Sequence, residues 1–163
     1  MTATGPQPGW RSWIESANSP EAHFPVQNLP YGVFSLGEGG KPRVGVAIGE
    51  FVLDLSVLAS EGLVVCVDNV FNQPSLNTFI ALGRQAWREV RGRVAHLLHD
   101  AEPVLRDNTA LRTRCLIPLS DVQMHLPVQV AGYTDFYSSK EHATNVGKLF
   151  RDPDNALLPN WLE

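Results

Sequence analysis

Hydrophobic and polar positions change period several times along the chain, and each change marks an element. From Leu29 the apolar residues come in short alternations: "PYGVFSL", then, after the glycine-rich "GEGGKP", "RVGVAI", then "FVLDL". Val44, Val46 and Ile48 fall on one face of a strand by the two-residue period, and Phe51, Leu53 and Leu55 on one face of the next. The Gly49-Glu50 pair between them fits a two-residue type II′ hairpin, because glycine takes the positive φ required at the first turn position. Three short antiparallel strands in succession leave open edges, so the meander is expected to curl into a small SH3-like barrel closed by later segments.

Between Ser75 and His99 the period lengthens to that of a helix. Leu76, Phe79, Ile80, Trp87, Val90, Val94, Leu97 and Leu98 form one stripe, while Arg84, Arg88, Glu89, Arg91 and Arg93 mostly lie outside it. This pattern predicts one amphipathic helix that starts after Pro74 with Ser75 as its N-cap and packs Trp87 into the core. His96 and His99 sit three apart at its end; with no third ligand nearby, they read as helix-end histidines favoured by the C-terminal dipole. "LRDNTALRTR" predicts a further short helix begun at Asp107 or Asn108, and "CLIPL" a strand interrupted by Pro118. "MHLPVQV" predicts a connector or edge strand, since Pro127 cannot donate to a central ladder. The stretch up to Phe24 is rich in Pro, Gly, Ser and Asn and reads as a loose arm with Trp10 and Trp13 as anchors. Three parts result: an arm over 1–23, an SH3-like domain over 24–127, and a segment of different chemistry over 128–163. The fold class is mainly β with helices, α+β.

Composition narrows the function classes. Hydrophobic residues make up 44% and charged residues 18% of the 163, enough to bury a core. The net charge of −4, with Lys and Arg scattered, supplies no basic stripe for a phosphate backbone, so nucleic acid is not an expected partner. No run of eighteen apolar residues occurs, and "MTATGPQPGWRSW" has no apolar stretch after a basic patch; the expectation is a soluble, cytoplasmic protein that does not bind membranes. Cys66 and Cys115 lie far apart in hydrophobic runs and match neither a metal spacing nor a disulfide framework, which predicts buried free thiols.

The segment "AGYTDFYSSKEHATNVG" reads as strand, turn and helix. Asp135 and Tyr137, two apart in an extended stretch, aim a carboxylate and a phenol to the same side and send Phe136 to the other. Ser138 with Glu141 three residues on matches a capping box, and Gly147 supplies a helix stop. His142 then falls in the first turns of that helix, where the positive end of the dipole favours the neutral ring that a general base requires. On spacing alone, a structural role as cap or turn residue, half-buried packing residue or structural histidine is the commoner one for each of these residues.

The longer string settles more. "FPVQNLPYGVF", "PRVGVAIGEFVLDLS", "VFNQPSLNTFIALGRQAWRE", "MHLPVQVAGYTDFYSSKEHATNVGKLFRD" and "NALLPNWL" occur in order with little insertion, and together they resemble the fumarylacetoacetate hydrolase family from Phe24 to the end of the chain. The resemblance implies an N-terminal SH3-like domain followed by the beginning of a mixed, β-rich catalytic domain. It implies that Asp135 ligates Mg²⁺ or Ca²⁺, that Tyr137 contacts substrate, that His142 is the general base toward water, and that Arg151 binds a substrate carboxylate with its planar fork of donors. One departure is visible: Ala131 and Gly132 stand before Tyr133 where the family pattern reads Gly-Asp.

The implied reaction is metal-dependent hydrolysis of the carbon–carbon bond of 4-fumarylacetoacetate to fumarate and acetoacetate, the last step of tyrosine and phenylalanine breakdown, by a homodimer. The family's remaining metal-binding carboxylates lie beyond its "PNWL" block, so the segment is expected to be the first half of an active site and the chain the N-terminal portion of a longer enzyme, inactive by itself. Two other readings stand beside this one: a non-catalytic product that uses the small β domain as an interaction module, and a related oxo-acid hydrolase or decarboxylase of the same superfamily.

Overall fold

The type II′ hairpin organises the first half of the chain. In the computed structural model, which describes residues 6, 9–67, 69–134 and 138–161, strands β1 (Tyr31–Leu36), β2 (Arg43–Ile48) and β3 (Phe51–Asp54) form the expected antiparallel meander. Ile48 pairs with Phe51 across the turn, and Gly49 takes φ +53° while Glu50 does not cross to positive φ, as a II′ turn requires. Two later strands complete the sheet: β4 (Leu116–Pro118) beside β3 and β5 (Val122–His125) beside β1, in the order β4-β3-β2-β1-β5.

The connection between the two edge strands dictates the curvature. Only the 3-10 turn Leu119–Asp121 separates β4 from β5. Four residue steps reach at most about 14 Å, whereas the edges of a flat five-stranded sheet lie roughly 19 Å apart. The sheet is therefore curled into an SH3-like half-barrel. Leu119 and Val122 pack on Phe34, Val52 and Ile117, so this is the face around which it curls. A Cβ on Gly45 would run into the Val52 and Phe34 side chains, and glycine there is what lets this small inner cluster close. The opposite face, with Val33, Val44, Val46, Ile48 and Leu53, joins the main core under the helices.

Leu55 does not continue β3. Asp54 ends the strand and becomes the N-cap of α1 (Leu55–Ser60): its Oδ1 accepts from the Ser56 and Val57 amides at 2.9 and 3.3 Å and from the Ser56 hydroxyl at 2.6 Å. Its Oδ2 accepts from Arg43 Nε at 2.6 Å, and the carboxylate is wholly buried.

The single helix expected over 75–99 is two helices, α2 (Asn77–Ala81) and α3 (Gly83–Leu98). Gly83 sits at φ +79°, and a left-handed residue interrupts a right-handed helix and restarts it with its apolar face rotated. Two members of the predicted stripe consequently miss the core. Ile80 is 46% and Trp87 38% exposed, and the Trp87 indole donates back across the break to the Phe79 carbonyl at 2.9 Å. Ser75 is buried and not the cap; Leu76 holds the cap position without a side-chain hydrogen bond. The two short helices α4 (Pro103–Arg106) and α5 (Thr109–Cys115) start at Glu102 and Asn108, both of which cap through their side chains; the second is the helix expected from "DNTALRTR".

Residues from Trp10 to Ala17 are held to the end of α3. Trp13 Nε1 donates to the Leu97 carbonyl at 2.9 Å, the Ser12 hydroxyl to the Leu98 carbonyl at 2.8 Å, and Trp10 lies on the His99 ring at 4.4 Å. Ile14 and Ala17 are core residues, so the described part of the arm is docked rather than loose. His96 pairs with Glu102 at 2.7 Å. Cys115 is fully buried and Cys66 half-buried, and both are free thiols. By its internal contacts the chain divides into two compact units, Met1–Gln129 and Val130–Glu163. No helix among the described residues is long and apolar enough to cross a membrane.

Candidate functional site

The second unit carries the chemistry-bearing segment, and the regular helix among its described residues is built by local rules. The helix α6 (Lys140–Gly147) begins at Ser139, whose Oγ accepts from the His142 amide at 3.3 Å. The cap is therefore Ser139 and not Ser138; in "SSKEH" either serine is followed by helix formers, and the one that reaches an orphan N–H three residues on takes the role. Ser139 Oγ also lies 3.0 Å from Glu141 Oε2. Hydrogen bonding to its own backbone amide and to the Ser139 hydroxyl holds the Glu141 carboxyl below the usual range, which keeps a negative charge on the first turn. His142 is the third residue of that turn and is exposed.

The other end of α6 is shaped by small residues. Ala143, Gly147 and Ala156 are buried against one another, and a Cβ on Gly147 would collide with the Ala156 carbonyl. The chain reverses directly after the helix: the Phe150 and Arg151 amides donate to the Gly147 carbonyl at 3.1 and 2.9 Å, and Asp152 caps the 3-10 turn Pro153–Asn155 through the Asp154 amide at 2.8 Å. The Arg151 guanidinium donates from Nη1 to the Ala156 carbonyl at 3.2 Å. That bond uses one donor of the fork and turns the side chain onto a recess of about 320 Å³ lined by Ala143, Gly147, Phe150, Leu158 and Trp161. Phe150 is 80% exposed at its rim.

His142 and Arg151 thus lie toward opposite ends of α6. Gly147, whose carbonyl accepts from the Arg151 amide, lies five residue steps after His142, roughly 8 Å along the helix axis. His142 is not among the residues lining the recess. Asp135 and Tyr137, the expected metal ligand and substrate contact, fall outside the described residues. Among the described residues no group of three or more His, Cys, Asp or Glu could hold a metal ion. A hard cation asks for six or more oxygen ligands, so a single carboxylate does not complete a Mg²⁺ or Ca²⁺ site.

Comparison with known proteins covers both units. The family model described as fumarylacetoacetase N-terminal matches residues 27–127. The chain is 50% identical over 145 residues to the fumarylacetoacetase of Homo sapiens, covering 87% of this chain and 35% of that protein. It is 52% identical over 141 residues to that of Caenorhabditis elegans, covering 85% and 34%. Against that of Oryza sativa subsp. japonica it is 45% identical over 168 residues, covering 99% of this chain and 39% of the relative. The chain therefore spans little more than a third of the length of these relatives, and the last alignment runs through the α6 segment as well as the half-barrel.

Proposed function

The chain belongs to the fumarylacetoacetase N-terminal family, and on that premise we propose that it is the N-terminal part of an enzyme that hydrolyses the carbon–carbon bond of 4-fumarylacetoacetate. The observation that carries this reading is the arrangement of α6: a capped first turn bearing His142, and a recess at its other end bearing Arg151. Arg151 binds a substrate carboxylate with two parallel N–H donors. His142 takes a proton from water, whose oxygen adds to the carbonyl that becomes the new fumarate carboxylate. The bond to the neighbouring carbon then breaks, its electron pair stays on the acetoacetate fragment as an enolate, and protonation of that carbon completes acetoacetate. Tyr137 orients the substrate. The rise of roughly 8 Å along α6 from His142 to Gly147 suits a substrate whose bound carboxylate and attacked carbonyl are separated by several bonds.

In this reading Asp135 would supply a carboxylate ligand to Mg²⁺ or Ca²⁺, which would polarise the oxo groups of the substrate, and the steps assigned to this chain run through its own side chains. The protein acts in tyrosine and phenylalanine catabolism as a cytoplasmic homodimer, with a small molecule and not nucleic acid or membrane as its partner. The half-barrel, with its own inner cluster and main core, also favours a second reading in which these residues serve as a non-catalytic interaction module.

The test is turnover of fumarylacetoacetate, with added Mg²⁺ or Ca²⁺, by the native gene product purified from its own cells after its intact mass has been measured. His142→Ala is expected to lower kcat by about 10²- to 10⁴-fold with an unchanged circular dichroism spectrum. A variant that keeps full turnover removes His142 from the role of base, and an intact mass near 18.0 kDa without turnover favours the interaction module.

A further inference from the structure

Arg151 is held at two points, and both depend on how the chain turns after α6. Its amide donates to the Gly147 carbonyl at 2.9 Å, and its Nη1 donates at 3.2 Å to the carbonyl of Ala156, five residues on. The second bond forms only where the chain reverses between the two residues. Asp152 makes that reversal. It is extended, at φ −56° and ψ 133°, as suits the residue before a proline, and Pro153 opens the 3-10 turn with its own φ already fixed. The Asp152 Oδ1 accepts from the Asp154 amide at 2.8 Å and its carbonyl accepts from the Asn155 amide at 2.9 Å, so one residue closes the turn through side chain and main chain together. Ala156 follows directly and is buried against α6 at Gly147. The recess beside Arg151 is lined by α6 on one side and by residues 156–161 on the other, so the turn joins its two walls.

We infer that Asp152 is a positioning residue for carboxylate binding: its cap on the turn Pro153–Asn155 sets the Ala156 carbonyl where it orients the Arg151 guanidinium. This rests on the reading of Arg151 as the group that binds a substrate carboxylate. The bond to Ala156 is the only hydrogen bond of the Arg151 side chain among the described residues, and it leaves the Nε and Nη2 edge of the fork for the two oxygens of a carboxylate. The cap needs an acceptor at the reach of the Asp152 side chain and does not need a charge. Asparagine therefore serves in place of aspartate, and glutamate, one methylene longer, does not.

The experiment measures steady-state kinetics on fumarylacetoacetate and residue-resolved hydrogen exchange for the native protein and its variants. Asp152→Ala is expected to raise KM about fivefold, the equivalent of one lost cap, and to leave kcat within about twofold. The split follows because the substrate carboxylate keeps its charge throughout the reaction, so Arg151 binds ground state and transition state alike. Exchange of the Asp154 amide should quicken by a similar factor, while the Ala143 amide of α6, bonded to the Ser139 carbonyl, stays unchanged. Asp152→Asn is expected to keep the wild-type KM. Asp152→Glu is expected to behave as the alanine variant does, and serves if that variant does not fold. In an Arg151→Ala background, Asp152→Ala should change KM by less than about twofold. The full effect in that background overturns the positioning role, and so does an unchanged KM in Asp152→Ala where Arg151→Ala raises it. Unchanged exchange at Asp154, or a raised KM in Asp152→Asn, overturns the cap. If Arg151→Ala leaves KM unchanged, or the wild type turns over no substrate, the reading of Arg151 fails first and this inference falls with it.

Discussion

Removing the Asp54 carboxylate is the most informative single perturbation of the half-barrel. The group is wholly buried and serves two structures at once, capping α1 through Oδ1 and pairing with Arg43 through Oδ2 at 2.6 Å. Asp54→Ala forfeits the cap, worth about 1–2 kcal/mol. It also leaves the Arg43 guanidinium, only 17% exposed, without its counter-charge. Stripping a partner from a fully buried pair costs about 3–5 kcal/mol. Arg43 keeps the face of Phe34 at 4.6 Å and some contact with water, so about 1–3 kcal/mol is the appropriate share here. The expected loss is about 2–5 kcal/mol, a large part of the roughly 5–15 kcal/mol that holds a domain together. Urea denaturation followed by circular dichroism reads it as a fall in midpoint with unchanged slope. Arg43→Met combined with Asp54→Ala removes the orphaned charge, so the double variant should be at least about 1 kcal/mol more stable than the sum of the single losses. A loss below about 1 kcal/mol for Asp54→Ala, or strict additivity in the double variant, would refute the claim that this pair is coupled and costly to break.

Other consequences are open to direct measurement. Gly147→Ala ought to stabilise an isolated helix by about 1 kcal/mol on propensity, yet the collision with the Ala156 carbonyl predicts the opposite sign; faster exchange of the Arg151 amide, which is bonded to the Gly147 carbonyl, would register it, and slower exchange would contradict the packing. Burial, with the nearby Asp54 charge as a smaller cause, pushes the Cys115 thiol from 9.0 up to about 12. Because the folded-state value is raised, the stability linked to this thiol is complete below pH 9 and declines between pH 9 and about 12, with a limiting slope of about 1.4 kcal/mol per pH unit. Cys115→Ala should flatten the alkaline limb of the stability curve measured by urea melts at each pH, and an unchanged limb would assign the loss to other groups.

Much of the half-barrel was legible because its signals are local. The two-residue alternation of Val44, Val46 and Ile48, the Gly49 turn and the Asn108 cap each depend on residues within a few positions of one another. The same holds for α6, where the cap was displaced by one residue, from Ser138 to Ser139, yet the helix and the place of His142 in its first turn followed from the pattern. The reading of 75–99 as one helix went wrong where a local signal is ambiguous. Glycine within an apolar periodic stretch is tolerated in a continuous helix, and only the backbone around Gly83 shows that it turns left-handed and rotates the face carrying Trp87 away from the core.

What the sequence determined by itself is the set of elements with their own periodicity and caps, and the ordered blocks that identify the family; both are written in neighbouring residues. What only the tertiary structure decided depends on residues far apart in the chain. The strand order, with β4 and β5 flanking the meander and forced to curl by a three-residue turn, is one case. Asp54 is another: inside "FVLDL" it reads as a strand position, and it becomes a buried cap only because Arg43, eleven residues back, arrives across the hairpin to neutralise it. Asn77 is the third, since nothing in "PSLNTF" distinguishes a residue that will hold Gln129, fifty-two positions on. A pairing of this kind carries no local periodicity. Its partners meet only once the core has closed and chain entropy has already been spent on other contacts.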